Sequence, residues 1–149
     1  MTAPPMPKAD LSGPGWTVQQ GQAVWHTPRQ NIFAPPHAGM PPPRPAPEIA
    51  GDLILATRTD GSAFVQFSKT PFTVAIAQMT PSGWQLEIPP QNRHFARHGK
   101  PPAQIVWLQL ANALNGKSVA KNWTWHGSAA NWHLENRSSG ESLEGYLTP

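Results

Sequence analysis

Apolar and polar positions alternate with a period of two along much of the chain, the pattern of half-buried strands. Trp16, Val18 and Gln20 fall on one face, then Ala23 and Trp25, so residues 16–25 read as a strand or strand pair bent at Gly21. Leu53–Arg58 and Ala63–Phe67 flank Asp60-Gly61, the sequence of a type I′ hairpin. After a polar turn at 68–71, Phe72–Met79 form the next strand, with Phe72, Val74 and Ile76 on one face and Thr73, Ala75 and Ala77 on the other. Past the turn Pro81-Ser82-Gly83, Trp84, Leu86 and Ile88 point inward, and Pro89-Pro90 ends the run. Residues 91–100 (QNRHFARHGK) read as a polar connection.

The period then changes to that of a helix. Trp107, Leu110, Ala111 and Leu114 stand at i, i+3, i+4 and i+7, widened by Ile105 and Leu108. Pro101-Pro102 suits a first turn, where a missing N–H costs nothing, and Gly116 suits the C-terminal cap. The spacing predicts one helix over about 102–115. Strand patterns return at 122–126 and 131–135, around the turn Gly127–Ala130, and at 141–147 after the turn 136–140. One helix inserted among about eight strands predicts a mainly β (α+β) fold. Its form is a curved antiparallel sheet or half-open β-barrel, with the helix covering the concave face.

Composition sharpens this in three ways. Of 19 prolines in 149 residues, twelve precede residue 51. Residues 1–14 therefore read as a flexible tail, and 15–149 as a single β-rich domain containing a Pro-rich segment at 28–47 with polyproline II character. The absence of cysteine excludes disulfides, thiolate metal sites and Cys nucleophiles. Net charge is +3, but the 11 Lys and Arg form no stripe, so nucleic-acid binding is not expected.

The order FVQFSKTPFTVAIAQM, GWQLEIPP, helix WLQLANALNG, paired tryptophan strands and WHLENRSSGESLEGYL resembles bacterial LolA/LolB-type lipoprotein-handling domains over about residues 51–149. That resemblance implies an incomplete antiparallel barrel, a helical lid and an apolar cavity for acyl chains. It also implies the periplasmic face of the outer membrane. Met1 reads either as a native start or as the replacement of a lipid-bearing Cys lost with a lipoprotein signal; in the second case the domain, expected to be a monomer, would lie peripheral to the membrane. The receptor member's apolar hook between strands has no evident counterpart in this sequence.

Candidate chemistry is sparse. His94 and His98 have HxxxH spacing but no Glu for a zinc-protease motif, and read as part of a polar loop. His126 and His133 face each other across a predicted hairpin as a copper or zinc pair would, without an evident third ligand, and read as partly exposed strand histidines. Glu135, Glu141 and Glu144 raise paired-carboxylate hydrolysis, but Glu135 and Glu141 sit among Asn, Arg and Ser, as at a solvated hairpin end. Ser82 and Ser139 lack a nucleophile elbow, and no phosphate-binding glycine motif occurs. No enzyme activity, cofactor or metal is expected.

The tryptophans carry the functional expectation. Phe64, Phe72, Trp84, Trp107, Leu110, Leu114, Trp123, Trp125 and Trp132 are the candidate lining of an apolar concavity that takes a lipoprotein acyl chain or other lipid. The alternatives are a surface module that stacks glycan or peptide on Trp123, Trp125 and Trp132, and a structural component of an envelope complex. Exposure of those three rings separates surface module from cavity.

Overall fold

The structure, a computed structural model, describes residues 10–27, 48–128 and 130–148. The expectations for residues 1–9 and for the Pro-rich segment 28–47 lie outside the described residues. Among the described residues there are nine strands: β1 Trp16–His26, β2 Glu48–Arg58, β3 Ala63–Lys69, β4 Phe72–Thr80, β5 Gly83–Ile88, β6 Arg93–His98, β7 Trp123–Ser128, β8 Asn131–Asn136 and β9 Ser142–Thr148. They form one antiparallel sheet in the order β6-β5-β4-β3-β2-β1-β9-β8-β7. The sheet is open, with β6 and β7 at its edges, and the helix α1 spans Val106–Leu114.

Residues 10–14, within the stretch expected to be a tail, make tight turns pinned by Asp10, which accepts from the Ser12 N–H (3.1 Å) and hydroxyl (2.6 Å). β1 is one continuous 11-residue strand rather than two, with Gly21 opposite Leu53 on β2 and Leu147 on β9. A Cβ on Gly21 would lie 1.8 Å from the Tyr146 carbonyl oxygen, and one on Gly145 would lie 2.1 Å from that of Gln22. Glycine here serves close approach of β1 and β9, not an interruption of the strand.

The Asp60-Gly61 hairpin also differs from expectation. Gly61 N–H donates to the Arg58 carbonyl (3.0 Å), so Thr59 and Asp60 are the central turn residues. Gly61 takes the left-handed position (φ +96°), and the Asp60 carboxylate accepts from the Ser62 N–H at 2.9 Å. A type I′ turn would need positive φ at Asp60, which the structure lacks. Residues 93–98, expected as connection, form the edge strand β6 in full register with β5 (Gly83↔His98 to Ile88↔Arg93). Charged side chains are common protection for an edge strand, so polarity hid its β character.

α1 is shorter at its start than the sequence predicts. Residues 101–105 stay outside it, and the Ala103 carbonyl accepts the Trp123 indole N–H at 2.7 Å. The helix ends as predicted. Gly116 has φ +75°, and its N–H reaches the Ala113 carbonyl while that of Lys117 reaches Asn112 (2.9 Å), a Schellman closure.

Cross-strand register divides the sheet into two faces. Ala23 and Trp25 on β1, Leu53 and Leu55 on β2, and Ala63, Val65 and Phe67 on β3 share the concave face. Ala75, Ala77 and Met79 on β4, Trp84 and Leu86 on β5, Trp132 and Leu134 on β8, and Leu143 and Leu147 on β9 continue it. These residues and α1 build one core. Gly145→Ala is predicted to lower stability by about 1–3 kcal/mol or more, because backbone must move to admit the methyl group. A urea melt showing wild-type stability would contradict the close approach.

Candidate functional site

The candidate site is the concave face beneath α1. The chain leaves edge β6 and re-enters the sheet at the opposite edge β7, so the crossover carries α1 over this face, mainly against β3 and β4. Trp107 projects from the helix onto the ring of Phe67, stacked at 5.0 Å and 28°. It also meets Trp25 edge-on at 5.3 Å and 65°, and Trp25 meets Phe67 at 6.4 Å and 86°. Such pairs contribute about 0.5–1.5 kcal/mol each beyond area burial. Gln109 ties the helix to the following segment by accepting the Ala120 N–H at 2.9 Å, and the Trp123–Ala103 bond ties the preceding one to β7.

Of the residues expected to line the concavity, Trp84, Trp107, Leu110, Trp123 and Trp132 are buried in the core, with Leu114 and Trp125 packed against it. Phe64 and Phe72 are corrections. Phe64 pairs with Ala56 and Gln78 and so lies on the convex face, out of step with Val65 and Phe67; it is 1% exposed there. Phe72 stands at the β3–β4 tip and is 71% exposed; the register shift after Phe67 leaves Val74 unpaired but still buried in the core, and the core-facing run ends there. Sequence reasoning missed Trp25 and Phe67, although each shares strand parity with a core neighbour, Ala23 and Val65.

Among the buried polar groups of the described residues, two stand out against the apolar lining. Glu141 is buried, and its carboxylate accepts the Trp25 indole N–H at 2.9 Å. Burial pushes this carboxyl up from the usual 4.5 to about 7, against the Trp25 hydrogen bond, which favours the ionised form. The second is Trp132, stacked on Trp125 at 6.1 Å and 20°, whose indole N–H has no partner among the described residues. An unmet buried donor costs about 1–3 kcal/mol.

The other chemical candidates disperse. Glu135 pairs with Ser142 on the convex face while Glu141 lies on the concave one, so they do not converge. Ser139 Oγ accepts the Glu141 N–H, and Ser82 Oγ bonds Thr80. His94 and His98 lie on one face of β6, four residues and roughly 13 Å apart, and His94 bonds Gln85 at 3.2 Å. Among the described residues no three or more His, Asp or Glu side chains gather for a metal, and no helix is long and apolar enough to cross a membrane. Comparison with protein-family models gave no match, and comparison with curated proteins gave none either.

Glu141 yields a pH prediction. Between about 4.5 and 7 the unfolded chain has released a proton that the folded chain keeps, so stability falls as pH rises through this window and is level above it. Glu141→Gln, which keeps an acceptor for Trp25, is expected to remove that slope and to raise stability at pH 8 by on the order of 3 kcal/mol at most. Parallel denaturant melts of wild type and variant across this range would refute the assignment if both slopes were equal.

Proposed function

We propose that the protein is a non-enzymatic domain of the bacterial envelope, a monomer at the periphery of the outer membrane. On this reading it binds the acyl chain of a lipoprotein or another lipid in its concave face, with α1 as the lid. The observation that carries this reading is Trp107, a lid residue seated between Trp25 and Phe67 at the centre of an apolar concave face. An alkyl chain taking that seat would replace ring contacts with its own burial, worth about 0.8 kcal/mol per CH₂. No covalent step is involved.

Ring exposure favours the concavity over a surface module. Trp123 and Trp132 are buried and Trp125 is half-buried, so the three rings do not present a row to solvent on which sugars would stack.

Titration with a fluorescent long-chain fatty acid tests the proposal. Saturable binding is expected, with a blue shift of the probe and quenching of tryptophan emission. Trp107→Ala should tighten binding while lowering stability by about 3–5 kcal/mol, since it empties the seat the chain would occupy. Absence of saturable binding in both proteins would overturn the reading.

A further inference from the structure

The convex face of the β7–β8 hairpin carries a second arrangement that the lipid-binding reading does not use. His126 and His133 are direct cross-strand partners, and Glu144 on β9 is the direct partner of His133 on its other side. Three donor-bearing residues therefore stand abreast on three adjacent strands. Directly opposite residues have Cβ atoms about 4.5–5.5 Å apart, within the reach of two imidazoles meeting at one ion with bonds of about 2.0–2.1 Å. His126 is exposed and His133 half-buried, and neither ring has a hydrogen-bond or ion-pair partner among the described residues. Both rings are free to ligate.

The mount is firm. Trp125 and Trp132, next in sequence to the two histidines, stack against each other on the concave face of the same two strands. The hairpin register runs unbroken from Trp123↔Asn136 to Ser128↔Asn131, so neither strand slides without breaking that stack. Glu144 adds negative charge beside the pair. Its carboxylate lies 3.4 Å from His26 Nε2, and Glu48 lies 3.7 Å from His26 Nδ1. Two imidazoles next to a carboxylate select a borderline divalent transition ion over a hard one, with copper(II) ahead of nickel or zinc.

We propose that His126 and His133 form a two-imidazole site for a divalent transition-metal ion, copper(II) most tightly, with water filling the remaining positions and Glu144 supplying charge alongside. The ion would join edge strand β7 to β8 from the convex side. His94 and His98 serve as the internal control, being held apart along β6.

Copper(II) titration of the full chain in a non-coordinating buffer, followed by calorimetry and pulsed electron paramagnetic resonance, tests this. One ion with two bound imidazole nitrogens is expected, and magnesium should not bind. His126→Asn and His133→Asn should each leave one imidazole nitrogen. Each should also weaken binding by at least the ~10–100-fold that loss of a supporting partner costs a metal site. A His94→Asn/His98→Asn double variant should bind as wild type does, and circular dichroism checks that every variant is folded. The proposal is overturned if the wild type shows fewer than two imidazole nitrogens. It is equally overturned if His126→Asn/His133→Asn keeps wild-type affinity.

Discussion

The route between the two open edges of the sheet constrains the rest of the molecule. Strands β1–β6 form one meander and β7–β9 another, joined where β9 lies beside β1. This places the end of β6 and the start of β7 at opposite edges. The connecting residues 99–122 must cross a face, and they cross the concave one, whose apolar surface takes a helix with buried Val106, Trp107, Leu108 and Leu110. Trp107 is where crossing and core meet. Its contacts with Trp25 and Phe67 fix the helix on the sheet, while Trp123–Ala103 and Gln109–Ala120 fix the segments on either side.

Elements whose sequence had one dominant demand were legible. The helix stripe and its Gly116 closure were read correctly, as were the β5 and β8 runs, because apolar spacing there has no competing signal; the two faces expected for β4 are broken by the register shift that puts Phe72 opposite Lys69 and Ile76 opposite Gln66. Elements answering two demands at once were not. β6 must pair as a strand yet guard an open edge, and its Arg and His positions read as loop. Gly21 looked like a bend because glycine's need to bring β1 and β9 backbones together is invisible without knowing that the first and last strands pair. Phe64 was misplaced for a related reason. With Ala63, Phe64, Val65 and Phe67 all apolar, alternation in β3 cannot say which parity faces inward, and only the pairing of Phe67 with Leu53 and Ala75 decides it. The start of α1 depended on an indole twenty residues away binding the Ala103 carbonyl.

Within the candidate site, Trp84, Trp107, Trp123 and Trp132 were visible from their type, whereas Trp25, Phe67 and the polar Glu141 were not. Glu141 read as a hairpin-end carboxylate because its neighbours Ser139, Gly140 and Ser142 are turn-like. Strand parity nevertheless sends it to the concave face, where it meets Trp25 from the far end of the chain. Burying a carboxyl with one strong donor and leaving the Trp132 N–H unmet both work against stability. A core selected for packing alone would replace such groups with apolar ones, whereas polar atoms in an apolar concavity are a feature of sites that orient a ligand. They bear on the proposed binding role more directly than the number of rings does.

The pleat lets one hairpin serve two chemistries without mixing them. Along β7 and β8, successive side chains alternate between Trp125–Trp132 beneath and His126–His133 above. A one-residue slip of either strand would place an imidazole in the core and an indole in water, so the cost of burying the wrong face enforces the histidine register as strictly as the tryptophan one. The two histidines add no packing of their own to that choice. Their juxtaposition is held by the stack on the other side, and a change that loosens Trp125 on Trp132 would loosen the imidazole pair with it. The geometry of the convex-face pair is therefore set by the concave-face core, although the two share no side-chain contact among the described residues.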